Sequence, residues 1–305
     1  MLSGTVVKAT GSWYDVMTGD GSLYKCRIRG KMRLKGVRST NPVVVGDVVD
    51  IAADGEDFTI EQLHTRKNYV IRRASNLSKE SHIIAANIDR ALLVATLAEP
   101  VTAPEFIDRF LVTCEAYRIP ATILLAKSDL NISRREEAEA FRAVYESAGY
   151  TVLEISAATG EGVDVVRELT AEGATLVAGN SGVGKSTLIG RLCSSAQIRT
   201  GEISQSHRKG RHTTTFSTIY QADNGGRIID TPGIKGFGLI DIDDAELWHY
   251  FPEMMRVGHG CRFFNCTHTH EPDCAVREAV AGGEIAFSRY ESYLKILDED
   301  DKYRR

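Results

Sequence analysis

The sequence predicts an α/β domain with a doubly wound sheet, preceded by a β-barrel of the OB type and followed by a small α-helical domain. Three observations predict this arrangement. Short alternating strands fill the first part of the chain, apolar strands alternate with amphipathic helices in the middle, and cysteines and histidines cluster near the end. We place the domains at residues 1–73, 74–250 and 251–305. A chain of 305 residues with 43% hydrophobic content is long enough to bury two or three separate cores.

Composition and charge narrow the function classes. The formal net charge of -4 argues against indiscriminate binding of polyanions over the whole surface, but it leaves room for a local basic face. The N-terminus lacks a basic segment followed by an apolar core, and no apolar run approaches membrane-spanning length, so we expect a cytoplasmic protein. Six cysteines are few for a disulfide scaffold, and three of them lie close to histidines, which favours a metal site in a reducing compartment.

The barrel prediction rests on short strands separated by Gly, Asp and Asn. Residues 4–7, 13–16 and 43–50 have the pattern of a small closed barrel, and an OB-fold is the favoured type. Within this region, one side of an extended strand or hairpin carries six cations, at Lys25, Arg27, Arg29, Lys31, Arg33 and Lys35.

This basic face has two interpretations. It can be an ordinary solvated strand face, or it can contact the phosphates of a nucleic acid, because aligned cations gain free energy by releasing counterions. We favour the phosphate contact. Trp13, Tyr14 and Tyr24 could stack on bases, but we assign each of them to core packing.

The middle of the chain alternates strands and helices. Near-continuous apolar runs at 90–97 and 121–125 are typical of strands buried on both faces of a parallel sheet. The pattern predicts further strands at 151–155 and 174–178, and helices at 104–117, 134–147 and 163–169, the second of them closed by Gly149. A doubly wound sheet of this kind binds its ligand at the carboxyl ends of the strands.

A phosphate-binding loop follows the strand at 174–178. It has the full G-x-x-x-x-G-K-S/T spacing and consists of Gly179, Asn180, Ser181, Gly182, Val183, Gly184, Lys185 and Ser186, with Thr187 next in the helix. The glycines let successive backbone N–H groups point at phosphate oxygens, and the helix offers its positive end. We expect Lys185 to neutralise the β and γ phosphates and the Ser186 hydroxyl to ligate magnesium.

Two downstream segments have the composition of nucleotide switches. Asp230 follows the short strand at 226–229 and can hold the magnesium shell through water, while the N–H of Gly233 can bond the γ phosphate. Between these residues and the phosphate loop lies a polar segment with three adjacent threonines, one of which can complete the magnesium shell. We favour Thr214, with Thr213 and Thr215 as alternatives.

Base recognition is assigned to a segment that precedes the phosphate loop, formed by Ala126, Lys127, Ser128 and Asp129. Asp129 can accept hydrogen bonds from both N1–H and N2–H of guanine, a contact that adenine cannot return, and the stem of Lys127 would lie along the base. We expect the N–H of Ala157, which follows Ser156 after the next strand, to meet the guanine oxygen. Ordinary GTPases have the phosphate loop first, so this order indicates a permuted domain.

Hydrolysis needs an aligned water and compensation of charge at the γ phosphate. Ile234 stands where many GTPases have a water-positioning glutamine, and an isoleucine cannot orient water. We therefore expect slow intrinsic turnover, with His212 supplying the missing group when a partner orders it. Lys185 and Thr214 complete the catalytic set. The alternative is that His212 is a solvent-exposed loop residue.

A zinc site is predicted near the end of the chain, from Cys261, Cys266, His268 and Cys274. Three thiolates and an imidazole suffice for a closed tetrahedral site, which makes the zinc structural and not catalytic. His259 and His270 are alternative imidazole ligands, and the competing interpretation is three ordinary buried cysteines. We assign Cys26, Cys114 and Cys193 to core packing.

With these motifs placed, the chain resembles the circularly permuted GTPases, and specifically the ribosome small-subunit-dependent GTPase A family (RsgA, also called YjeQ or YloQ). The resemblance covers the basic barrel, the permuted motif order and the zinc cluster with its C-x4-C-x-H-x5-C spacing. It implies magnesium-dependent hydrolysis of GTP to GDP, stimulated by the small ribosomal subunit and its 16S rRNA, and a role in late maturation of that subunit. The family pattern is Asn-Lys-x-Asp, in which the Asn amide ties the base segment to the phosphate loop. Ala126 replaces it here, which bears on affinity more than on specificity.

Two other functions remain open, a nucleotide-dependent RNA-binding module with incidental turnover and a P-loop ATPase. No dimerisation element is apparent, so a monomer is expected. The stretch at 283–305 predicts an amphipathic helix followed by a solvated acidic tail at 298–301, with apolar positions at Ile285, Tyr290, Tyr293, Leu294 and Leu297.

Overall fold

A barrel, a mostly parallel sheet and a helical region follow one another along the chain. The computed structural model describes residues 1–28, 42–55, 57–73, 81–194, 217–231 and 242–304. Within this part of the chain, none of the helices combines the length and the apolar character needed to cross a membrane.

Five strands among the described residues close into the N-terminal barrel. They are β1 (Leu2–Thr10), β2 (Trp13–Thr18), β3 (Leu23–Ile28), β4 (Val48–Asp54) and β5 (Asp57–Leu63). They pair in the order β1-β2-β3-β5-β4, and β4 returns to β1, with β3 and β5 parallel and the other pairs antiparallel. The barrel closes around Val6, Val16, Ile51 and Ile60, which are completely buried. The prediction of an OB-type barrel is confirmed.

The outer face of β3 carries the beginning of the predicted basic stripe. Lys25 and Arg27 are exposed and Cys26 between them is buried, as the alternation requires. Trp13 lies on this same outer face, because Nζ of Lys25 is 4.8 Å and Cζ of Arg27 is 3.9 Å from the centre of its ring. Assigning Trp13 to core packing was therefore wrong, whereas Tyr14 is buried as expected. The remaining cations of the stripe, Arg29, Lys31, Arg33 and Lys35, lie outside the described residues.

A two-stranded hairpin, β6 (Tyr69–Arg73) with β7 (Ser81–Ala86), connects the barrel to the main sheet. As far as the chain is described, that sheet has six strands: β8 (Arg90–Ala95), β9 (Ala121–Ala126), β10 (Thr151–Ile155), β11 (Ala174–Ala178), β12 (Thr218–Gln221) and β13 (Arg227–Asp230). Their order is β10-β9-β8-β11-β13-β12, and all pairs are parallel except β13 with β12. Strand β12 also pairs with β1, which makes the barrel continuous with the sheet.

Helices cover both faces of this sheet, as predicted for a doubly wound domain. One face packs against α1 (Pro104–Ala116) and α2 (Arg135–Ala148), and the other against α3 (Val163–Leu169) and α4 (Lys185–Leu192). Successive residues of β8 divide between the two cores, since Leu93 belongs to the first and Leu92 to the second. Helix α2 ends at Gly149, whose φ of 107° is the left-handed conformation that the sequence predicts for a closing glycine.

The C-terminal region consists of a 3-10 turn (Leu247–Tyr250) and helices α5 (Pro252–Gly258), α6 (Ala275–Ala281) and α7 (Phe287–Arg304). Helix α7 begins later than residue 283, so Ile285 precedes it. The acidic residues at 298–301, predicted to form a tail, lie inside the helix. This region packs on α1 through a shared core that includes Val112 of α1 together with Phe251 and Tyr293.

A buried ion cluster joins the C-terminal region to the α/β domain. Arg289 of α7 donates from Nη1 to Asp108 of α1 over 2.7 Å and from Nε to Glu253 of α5 over 2.6 Å. All three side chains are almost completely buried. Burial raises the pKa of Asp108, and the charge of Arg289 opposes that shift. The three elements are thus fixed to one another by charges that water does not reach.

Candidate nucleotide and metal sites

The predicted nucleotide residues lie at one edge of the main sheet. Strands β9, β10, β11 and β13 are parallel, and they end at Ala126, Ile155, Ala178 and Asp230. Because parallel strands end at the same edge, the base segment, the turn after β10, the phosphate loop and Asp230 come together there. Strand β8 lies between β9 and β11, so its end separates the base side from the phosphate side.

The phosphate loop runs from the end of β11 to the first turn of α4. Gly179 has a φ of 148°, and a Cβ at this position would lie 2.4 Å from the carbonyl oxygen of Val94, so the residue must be glycine. The N–H groups of Gly184, Lys185 and Ser186 have no hydrogen-bond acceptor among the described residues. Free N–H groups at the start of a helix form an anion site, which is what a phosphate needs.

Lys185 and Asp230 influence each other electrostatically beside this loop. Nζ of Lys185 donates to the carbonyl oxygens of Gly179 and Asn180, both at 2.6 Å. Burial lowers the pKa of Lys185 and raises the pKa of Asp230, and in each case the partner's charge opposes the shift. The ammonium group is thus held inside the loop by neutral acceptors that phosphate oxygens can replace.

Some of the remaining predicted phosphate and magnesium ligands lie in the described part of the chain, and the others lie outside it. Within the loop and helix, Val183 is buried, Asn180, Gly184 and Ser186 are half-buried, and Ser181, Gly182 and Thr187 are exposed. Thr231, next to Asp230, donates from Oγ1 to the carbonyl oxygen of Val177 over 3.2 Å. His212, Thr213, Thr214, Thr215, Gly233 and Ile234 lie outside the described residues.

At the base side, the two predicted segments are hydrogen-bonded to each other. Oγ of Ser156 donates to Oδ1 of Asp129 over 2.6 Å and accepts from the N–H of Thr159 at 3.2 Å. The N–H of Ala157 has no acceptor among the described residues, although Ala157 is only 9% exposed. A carboxylate and a backbone donor thus lie on two segments that a hydrogen bond joins, and these are the two kinds of group that the Watson–Crick edge of guanine requires.

A second bond supports this arrangement. Oγ of Ser128 donates to Oε2 of Glu161 over 2.8 Å, and the carbonyl oxygen of Glu161 accepts from the N–H of Ser156 at 2.9 Å. Glu161 was not predicted from the sequence. Ala126 contributes a buried methyl group to the core between the sheet and α4, so it offers no polar side-chain atom to the site.

Two further features of the site were not predicted from the sequence. The loop after β8 lies between the two sides of the site: Lys127 donates from Nζ to the carbonyl oxygen of Glu99, and a Cβ on Gly182 would lie 3.4 Å from Cδ of Pro100. The predicted strand at 90–97 could have revealed this loop, because ligands of a doubly wound sheet bind beyond the carboxyl ends of its strands. The second feature is Arg191 of α4, which donates to the carbonyl oxygens of the turn after β10.

The candidate metal ligands meet in the C-terminal region. The ligand atoms of Cys261, Cys266, His268 and Cys274 all lie within 4.8 Å of one another. Nδ1 of His268 is 3.5 Å from Sγ of Cys261 and 3.4 Å from Sγ of Cys274, and these two sulfurs are 3.9 Å apart. Tetrahedral zinc with bonds of about 2.3 Å to sulfur places two thiolates about 3.8 Å apart, so the cluster has suitable dimensions.

The surroundings of the cluster select His268 over the two alternatives. The backbone at His268 is held by Tyr290, whose hydroxyl donates to its carbonyl oxygen over 2.7 Å. His270 instead lies beside Oγ1 of Thr269, and His259 is not in the cluster. Burial and the neighbouring thiols raise the pKa of Cys266 to about 12, so without a metal this thiol keeps its proton. Cys26, Cys114 and Cys193 are buried singly, as predicted.

Comparison with known proteins decides the family. A family model described as RsgA GTPase matches residues 63–240, and another described as RsgA N-terminal domain matches residues 3–59. The chain belongs to the RsgA GTPase family. A protein from Bacteroides fragilis named small ribosomal subunit biogenesis GTPase RsgA is 51% identical, over 99% of each chain. A protein of the same name from Porphyromonas gingivalis is 51% identical over 99% of this chain and 98% of its own.

Solved structures of RsgA relatives have the same fold. YjeQ from Thermotoga maritima superposes with a TM-score of 0.75 at 32% identity, covering 98% of both chains. YloQ, described as a circularly permuted GTPase, gives a TM-score of 0.74 at 26% identity over 100% of this chain and 96% of that one. The resemblance drawn from the motif order is confirmed, and the chain is a circularly permuted GTPase of the RsgA family.

Proposed function

We propose that this protein binds the small ribosomal subunit and hydrolyses GTP to GDP and phosphate during late maturation of that subunit. One observation carries the proposal: a single sheet edge gathers the phosphate loop, Asp230 and the Asp129–Ser156 pair, in a chain of the RsgA family. Relatives at about half identity bear the name small ribosomal subunit biogenesis GTPase. The barrel, GTPase and zinc-binding parts correspond in this proposal to residues 1–73, 74–250 and 251–305.

In the proposed complex, Asp129 and the N–H of Ala157 read guanine, and the stem of Lys127 covers one side of the base. The loop from Gly179 to Ser186 wraps the phosphates, with Lys185 moving its ammonium group from the loop carbonyls to the β and γ phosphates. The Ser186 hydroxyl and Asp230 would hold Mg²⁺ in this proposal, and the ion would supply charge neutralisation at these phosphates.

The catalytic step is assigned to residues that the downstream segments supply. Thr214 would complete the magnesium site, the N–H of Gly233 would bond the γ phosphate, and His212 would orient the attacking water when the subunit is bound. Ile234 has no group that can do this, which supports slow turnover in the free protein.

Cys261, Cys266, His268 and Cys274 hold one structural zinc ion in this proposal. The proposal is supported by a donor set of three sulfurs and one imidazole, which is typical of closed tetrahedral zinc. Four protein ligands leave no position for a substrate, so the ion stabilises the C-terminal region and takes no part in hydrolysis.

We further propose that the barrel contacts 16S rRNA through the face on which Lys25 and Arg27 lie over Trp13. The two cations are exposed, and the indole ring below them limits their freedom, so they can meet phosphates with little loss of entropy. The protein acts in the cytoplasm as a monomer in this account.

The test is GTP turnover by the purified protein with and without small ribosomal subunits. We expect slow hydrolysis alone and strong stimulation by the subunits, with ATP hydrolysed poorly in both conditions. Binding to the subunits without any stimulation would identify a nucleotide-dependent RNA-binding module. Equal use of ATP and GTP would identify a P-loop ATPase.

A further inference from the structure

We propose that Arg191 is a positioning residue of the guanine site. It allows the helix that follows the phosphate loop to hold the turn that carries Ser156 and Ala157. The inference rests on the proposed nucleotide site and adds to it a link between its phosphate and base sides.

The contacts of Arg191 are directed at one turn of the backbone. From the last turn of α4, its Nε donates to the carbonyl oxygen of Ala157 and its Nη2 donates to the carbonyl oxygen of Ala158. A Cβ on Gly160, in the same turn, would lie 3.3 Å from Nη1 of Arg191. The guanidinium group thus lies against the turn and fixes two consecutive carbonyl groups.

Fixing these carbonyls orients the groups that face the base. A peptide group is planar, so holding the carbonyl oxygen of Ala158 also sets the direction of the N–H of Thr159. That N–H donates to Oγ of Ser156 at 3.2 Å, and Ser156 donates to Oδ1 of Asp129 at 2.6 Å. A continuous path of hydrogen bonds therefore runs from α4 to the carboxylate that reads guanine.

The neighbouring peptides are held as well. The carbonyl oxygen of Ser156 accepts from the N–H of Gly160 at 2.8 Å, which sets the direction of the N–H of Ala157. With Arg191 on the next carbonyl, both peptide groups that flank the α-carbon of Ala157 are fixed. The free N–H of Ala157 is thus aimed before a base arrives, which lowers the entropic cost of binding.

The connection that Arg191 makes between the phosphate side and the base side has a particular role here, because the base segment begins with Ala126. Its methyl group cannot form a hydrogen bond, so the base segment has no polar side chain at that strand end. Arg191 joins the two sides of the site by a different route.

The test compares Arg191→Met with Arg167→Met in the full-length protein. Arg167 is a matched control, because it lies on α3 beside α4 and contacts Arg191 but none of the turn carbonyls named above. Affinities for GDP, ADP and inorganic triphosphate are measured by displacement of a fluorescent guanine nucleotide, and thermal melting reports folding.

We expect Arg191→Met to lower the ratio of GDP to ADP affinity by about fivefold to tenfold, since two hydrogen bonds that orient the base contacts are lost. Affinity for inorganic triphosphate should stay unchanged, because the phosphate loop is intact. Arg191→Lys should recover part of the ratio, because one ammonium group can reach a turn carbonyl but cannot repeat the contact of Nε and Nη2 with two carbonyls.

An unchanged GDP to ADP ratio in Arg191→Met would overturn the proposal, and so would an equal loss in Arg167→Met, which would indicate a general structural effect. If Arg191→Met melts at a lower temperature than the wild type, Arg191→Gln is used in its place. This variant should lower the ratio of GDP to ADP affinity by a smaller factor. An unchanged ratio would contradict the role of Arg191. A wild-type protein without preference for GDP over ADP would instead refute the proposed guanine site itself, so the two failures are distinguishable.

Discussion

Ser156 donates a hydrogen bond from Oγ to Oδ1 of Asp129 over 2.6 Å, and so joins the turn after β10 to the segment after β9. A bond to an ionised carboxylate is among the stronger ones in proteins, because the acceptor carries the charge. We expect Ser156→Ala to weaken GDP binding by about 1.5 kcal/mol, or roughly tenfold. Calorimetric titration measures the change. Ser147→Ala is the control, since that hydroxyl is exposed and bonds its own helix; equal affinities in the two variants would contradict the role of Ser156.

GDP affinity should fall at alkaline pH because of Lys185. Burial lowers the pKa of its ammonium group in the free protein, and bound phosphate raises that pKa again. Below the lowered pKa, free and bound states both hold the proton, and affinity is at its full value. As pH rises above it, binding must take up a proton, so affinity falls.

The measurement is a series of GDP titrations from neutral to alkaline pH, with Lys185→Arg as the control. An arginine stays protonated over this range, so its variant should keep only the part of the pH dependence that ionisation of the guanine ring causes. Identical profiles for the two proteins would show that Lys185 is not the titrating group.

Two ion pairs join the same helices, α1 and α7, and should differ sharply in their effect on stability. Arg289 meets Asp108 in the core, whereas Lys295 meets Glu105 at the surface. Arg289→Met leaves Asp108 and Glu253 buried without a cation, which costs about 3 to 5 kcal/mol. Lys295→Met should have no measurable effect, because water screens an exposed pair. Chemical denaturation followed by tryptophan fluorescence compares the stabilities of the two variants. Similar transition midpoints would argue against the buried cluster as the main connection between α1 and α7.

Removal of the metal should unfold the C-terminal region and spare the nucleotide site. The Cys and His ligands share a core with Trp248 and Tyr293, so a missing ion leaves buried thiols with no bond to hold the loop. After chelation, hydrogen exchange should rise across residues 261–281, and added Zn²⁺ should reverse the change. GDP affinity should persist, since Asp129 follows strand β9 of the main sheet and Lys185 begins helix α4, both outside the C-terminal region. Unchanged exchange after complete removal of the metal would exclude a structural ion.

The parts of the fold that the sequence predicted well are those with local signals. Strands β10 and β11 are mostly apolar and are bounded by turn residues, and their ends were predicted to the residue. The phosphate loop is a contiguous motif whose backbone geometry requires glycine at fixed positions. Helix α7 was predicted too long at its start, because Ile285 is apolar at helical spacing yet packs from the loop before the helix.

The features that escaped prediction depend on distant parts of the chain. Arg191 and Glu161 look like ordinary surface residues of a helix and a loop. Arg191 has its partners because α4 packs against the turn after β10, and Glu161 meets Ser128 because β9 and β10 are neighbouring strands. Arg289 is a charged residue in a helix rich in charges, and its burial follows from the packing of α7 on α1. Trp13 is aromatic in a barrel strand, and its outward direction is set by strand register.

The central claim, that segments in inverted order build one guanine site, is tested most directly by Asp129→Asn. The carboxylate accepts from guanine N1–H and N2–H, whereas an amide can donate to the oxygen that xanthine has at the same ring position. Competition between GDP and XDP for binding to the wild-type and variant proteins measures this change in nucleotide preference. The account predicts strong preference for GDP in the wild type and a reversed preference, for XDP, in Asp129→Asn. Retention of the wild-type preference for GDP in the variant would contradict it.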